Sequence, residues 1–74
     1  MKFVKVADNC WIAEETIQRV FSSNAKLIID AAIDRYTIFY ENKEDAKTAL
    51  SRLFLAGKKI DLLFNLKHVK TEIK

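Results

Sequence analysis

Few side chains in this chain of 74 residues are equipped for covalent chemistry, and the two best suited are one cysteine, Cys10, and one histidine, His68. A Cys–His nucleophile pair needs a third group to orient the base, and nothing in the sequence points to one. One thiol and one imidazole do not make a metal cluster, and a lone cysteine cannot staple the fold. A turn around Asp34 and Arg35 has the polarity of a phosphate cradle. Such cradles converge several backbone N–H groups, normally through glycines, and the one glycine, Gly57, lies elsewhere. The sequence therefore predicts a non-enzymatic protein with no catalytic residue, no metal, no cofactor and no small-molecule substrate.

Recognition chemistry is better represented. Phe39 stands near Ile28, Ala32 and Phe3 on the predicted sheet, an apolar neighbourhood of the kind association surfaces use. With Phe54 at the end of a predicted helix, these five residues form the candidate protein interface. A basic alternative consists of Lys5, Arg35, Thr37, Phe39, Asn65 and Lys67, which could meet phosphates and bases. The net charge of +3 permits nucleic-acid binding without requiring it. The excess is uneven, because Lys58, Lys59, Lys67, Lys70 and Lys74 crowd the C-terminal third against Asp61 and Glu72.

Half of the residues are hydrophobic, and there is no proline. That composition belongs to a folded chain, near the lower size limit for a core without disulfide or metal. It is also much apolar material for a small surface, so a partner is expected to cover part of it. No apolar run approaches a membrane span and no signal-peptide pattern opens the chain, so an intracellular soluble domain is expected, in cytoplasm or nucleus.

Alternation sets out the strands. Val4 and Val6 share one face of a first strand; Leu27, Ile29, Ala31 and Ile33 share one face of a second, spanning 27–33. Tyr36, Ile38 and Tyr40 do the same in a third, joined to the second by a tight antiparallel hairpin. Ala13, Ile17, Val20 and Phe21 make a helical stripe, with Glu14 and Glu15 in its first turn. Trp11 would staple the start of that helix. Asn42 caps a second helix, with Asp45 as the reciprocal partner; Ala46, Ala49, Leu50 and Leu53 face inward and Gly57 ends it. Residues 63–69 read as a last strand. The order is β-α-β-β-α-β, one domain over residues 1–74, with both helices on one face of a four-stranded antiparallel sheet and the other face open.

AEETIQRVF (13–21), YENKEDAKTAL (40–50) and AGKKI (56–60) carry a resemblance to the RNA recognition motif (RRM) family over nearly the whole chain. The resemblance implies an α+β, ferredoxin-like sandwich and places the family's RNA-contacting positions on the two central strands. There the pattern departs: Lys5, Arg35 and Thr37 stand where the family presents stacking aromatics, and Ile33 and Asp34 replace its usual basic residue and glycine. Stacking contributes about 1–3 kcal/mol per base, so three missing rings remove on the order of several kcal/mol of the expected affinity. The expectation is thus a protein–protein module of an RNA-processing or RNA-silencing complex. It would dimerise with itself or with a second RRM-type domain, and weak single-stranded RNA binding is the alternative.

Overall fold

The computed structural model describes residues 1–74 and contains seven strands and one α-helix. Strands β1 (Phe3–Ala7), β2 (Cys10–Ala13) and β6 (Lys59–Asp61) form a small sheet of order β2-β1-β6, in which β6 runs parallel to β1. Strands β3 (Ile17–Ser23), β4 (Lys26–Ala31), β5 (Arg35–Tyr40) and β7 (His68–Ile73) form an antiparallel sheet of order β3-β4-β5-β7. The helix α1 (Lys43–Arg52) packs on β3, β4 and β5, while β1 of the small sheet packs beside it on β5 and β7. The four-stranded sheet thus has one face covered by two different elements and one face open. No helix is long and apolar enough to cross a membrane.

The ferredoxin-like sandwich is corrected by this architecture, because the first of its two helices does not exist. Residues 14–16 form one 3-10 turn, in which Thr16 Oγ1 donates to the Ala13 carbonyl at 2.7 Å, and the chain then extends as β3. The apolar spacing that reads as helical has another cause. Ile17 pairs with Ala31 and Arg19 with Asp30, so Gln18 is an extra residue in a bulge. The bulge lets Ile17 and Val20 both pack on the core although they are three apart. A bulged strand and a helix share that spacing, and the β-branched and aromatic side chains of IQRVFSS favour the strand.

The other elements follow the sequence more closely. Val4, Val6, Leu27, Ile29 and Ile38 are fully buried, and Tyr36 and Tyr40 nearly so. Ile33 departs from the alternation: β4 stops at Ala31, and Ile33 is 92% exposed in the turn that follows. Asn42 caps α1, accepting from the Asp45 N–H at 2.9 Å. Such a cap stabilises a helix by about 1 kcal/mol. Asp45 does not reciprocate; its carboxylate accepts from the Lys67 N–H at 2.9 Å and so holds the approach to β7. The helix ends at Arg52, short of Gly57, whose φ of 136° serves the return toward β6.

The last strand is displaced from 63–69 to His68–Ile73. Asp61 Oδ1 accepts from the Leu63 and Phe64 N–H groups at 2.8 and 3.1 Å, and Asn65 turns left-handed at φ 57°. Arg52 completes this turn by donating to the Asp61 and Phe64 carbonyls at 2.9 and 2.6 Å. Leu63 and Leu66 of that segment, with the fully buried Leu62 just before it, plug the core from a loop instead of alternating along a strand.

Candidate interaction surfaces

On the open face of the four-stranded sheet, strand register aligns three rows. Arg19, Asp30 and Arg35 form one; Phe21, Ile28, Thr37 and Glu72 the next; Ser23, Lys26, Phe39 and Lys70 the third. The residues Arg35, Thr37, Phe39 and Ile28 are therefore neighbours, as the sequence predicts. Arg19, Phe21, Lys26 and Lys70 join them. The sequence hides the first two because β3 reads as a helix, which would carry them away from the sheet.

This face is internally paired. Arg35 donates to Asp30 through Nε at 2.6 Å and Nη2 at 3.1 Å, and Arg19 donates to the same carboxylate at 3.0 and 3.2 Å. The Arg35 hydrogen bonds hold the Asp30 carboxyl below its ordinary range, and Asp30 in turn raises Arg35. The ring of Phe39 lies between Lys26 and Lys70, whose ammonium groups stand 5.7 and 5.0 Å from its centroid; the Arg19 guanidinium lies 5.1 Å from that of Phe21. Such contacts are worth about 0.5–1 kcal/mol each at exposed sites, and they cover ring faces that would otherwise be open. Ile28 is only 8% exposed beneath these neighbours.

The remaining candidates lie elsewhere. Phe3 and Lys5 are on the outer face of the small sheet; Lys5 is opposite Trp11 and Asp61, and Phe3 is opposite Lys59. Ala32 sits in the β4–β5 turn beside a shallow cleft that Ile12, Ile33 and Tyr36 also line. Asn65 and Lys67 belong to the connection between β6 and β7. The basic set is thus divided among three places, and the apolar set among four.

Phe54 is 83% exposed in the segment that follows α1. That segment forms a ridge between two grooves. Phe54 overhangs one of about 380 Å³ with Leu53, Ile17 and Val20, whereas Leu55 borders the other, about 370 Å³, with Phe64 and Ile60. Lys2 pins the ridge by donating to the Leu53 and Leu55 carbonyls at 3.0 and 2.8 Å. Leu55 is 56% and Phe64 63% exposed. Phe64 is hidden in the sequence because its segment reads as a strand. Compared with known proteins, the chain matches no family model, no curated protein and no solved structure.

Proposed function

We propose that this chain is a non-enzymatic interaction module that binds another protein through the ridge of Phe54 and Leu55, with Phe64 across the adjoining groove. The single observation behind this reading is the exposure of three large apolar side chains around one pinned ridge. Burying one such side chain contributes about 1.5–3 kcal/mol, the range of an interface anchor. The open sheet face is the weaker candidate for protein docking, since its rings already carry cationic neighbours and its central Ile28 is covered. Cytoplasm or nucleus is the setting in which a lone free thiol such as Cys10 stays reduced. The RNA-processing context rests on the family resemblance alone.

The test compares capture by immobilised wild-type chain with capture by the Phe54→Asp/Phe64→Asp double variant. A saturable partner is retained by the wild type and by Phe39→Asp, and lost from the double variant by about tenfold or more. Equal capture by the wild type and the ridge variant overturns the reading.

One observation favours a second reading, single-stranded RNA on the open sheet face. The side chains of Lys26 and Lys70 flank Phe39, so a strand entering that site meets two cations for its phosphates, and a base that displaces one ammonium gains a ring face to stack on. Titration with a mixed-sequence oligonucleotide then shifts the amides of Phe39 and Lys70 at low salt. The apparent affinity falls with a log–log slope near –0.7 per phosphate engaged. Unmoved Phe39 and Lys70 amides remove this reading.

A further inference from the structure

The strand β7 lies at the edge of its sheet, and its hydrogen bonding shows which backbone groups are unused. Arg35 and Lys74 exchange both backbone hydrogen bonds, at 2.7 and 2.9 Å. In an antiparallel ladder such pairs alternate with non-bonded ones. Glu72 and Lys70 therefore also direct their backbone groups to β5, opposite Thr37 and Phe39. By the same alternation Thr71 and Ile73 direct theirs outward, where no further strand pairs with them. The side chains at this edge include exposed apolar ones, Val69 at 58% and Ile73 at 52%.

The central run of this edge, VKTEI (69–73), is complementary to its own reverse. Laid antiparallel on a copy of itself with the two-fold axis at Thr71, it sets Val69 against Ile73 and Lys70 against Glu72. The hydrogen-bond parity agrees with this register. A bonded pair across the axis needs two outward residues, and Thr71 with Thr71 supplies them. Lys70 and Glu72 then fall on a non-bonded pair, where side chains approach most closely and opposite charges attract. In the single chain these two already meet on the open face at 3.2 Å, so pairing joins two such couples into a four-charge cluster. Val69 is itself the extra residue of a bulge, which ends the ladder at each end. The rival edge, β3, carries a bulge and only one charged residue, Arg19, so a copy of it offers no acid to that arginine.

We infer that a second copy of this chain pairs antiparallel with β7 about Thr71, extending the four-stranded sheet into a continuous eight-stranded one. Such an interface is isologous and closed, and it removes the two edges that would otherwise recruit strands. The inference uses none of the ridge residues and goes beyond the ridge reading.

Light scattering across a concentration series tests it on the full chain. Wild type and Phe54→Asp are expected to dimerise alike. Lys70→Glu and Glu72→Lys each place like charges opposite one another twice, and each alone is expected to weaken the dimer by about tenfold or more. An equimolar mixture of the two variants restores dimer. Positions 70 and 72 are both acidic in the first variant and both basic in the second, so every cross-strand pair in the mixed dimer is attractive, while neither chain regains its internal pair. That recovery separates lost pairing from lost folding. A wild-type monomer up to millimolar concentration, a dimer lost only with Phe54→Asp, or no recovery on mixing overturns the inference.

Discussion

Replacing Ile38 with alanine is expected to lower the stability of the fold by about 2–5 kcal/mol, the range for a buried isoleucine truncated in a packed core. Ile38 is fully buried on β5, between Leu27 on β4 and Thr71 on β7. It belongs to the buried cluster in which side chains of both sheets and of α1 meet. A chain of this size without disulfide or metal rarely holds more than about 3–5 kcal/mol in total. The variant is therefore expected to be mostly unfolded at 25 °C, as urea titration followed by circular dichroism will show. Ile33→Ala serves as the contrast. Its alternation in sequence matches that of Leu27 and Ile29, yet Ile33 is 92% exposed, and its truncation should change stability by no more than about 0.5 kcal/mol. Equal losses for the two variants contradict the packing described.

Those two isoleucines also show what kind of information the sequence carries. The period of two identifies β1, β4 and β5 because the inward rows of each are buried, and the Asn42 cap locates α1 because its chemistry is local. The stripe at 13–21 misleads because a three-residue apolar spacing has two solutions, a helical turn or a bulged strand. Only pairing with β4 selects between them, and that partner is remote information. The same holds at the other end. Residues 63–69 read as a strand, but Asp61 and Arg52 bind the start of that segment into a turn, and the polar HVKTEI (68–73) pairs with β5 instead.

Legibility of the candidate surfaces follows from this. Arg35, Thr37 and Phe39 come together because they alternate on one correctly located strand. The residues beside them on β3 are lost along with the strand that carries them. Phe54 is recognisable as surplus to the inward stripe of α1, a purely local argument, and its exposure agrees. Its neighbours Ile17, Val20 and Phe64 come from other elements, so the ridge and its grooves are legible as a residue but not as a surface. The self-complementarity of VKTEI (69–73) is present in the sequence throughout. It acquires meaning only once β7 is known to be an edge and its outward residues are known by parity.

Tyr40 joins the core to the turn that follows β6, and its removal is expected to be felt in two ways. The phenol is 4% exposed, and Oη donates to the Leu62 carbonyl at 2.8 Å. Tyr40→Phe keeps the ring but leaves a carbonyl of the fully buried Leu62 without this donor, at an expected loss of about 1–3 kcal/mol at pH 7. The second effect is a pH dependence. Burial pushes the Tyr40 phenol well above its ordinary value, because the phenolate has no solvation in the core. A group whose acidity is weakened by folding holds its proton longer in the native state than in the unfolded one, so stability is complete below the unfolded value. It falls as pH rises beyond about 10, where the unfolded chain ionises first. Wild-type protein is therefore expected to lose stability progressively above that pH, and Tyr40→Phe to lose less over the same interval. A residual slope belongs to Tyr36, which burial also raises. Urea midpoints measured at pH 7 and near pH 10.5 separate the contributions: a parallel decline in wild type and variant would show that the Tyr40 phenol ionises as freely in the fold as in the open chain.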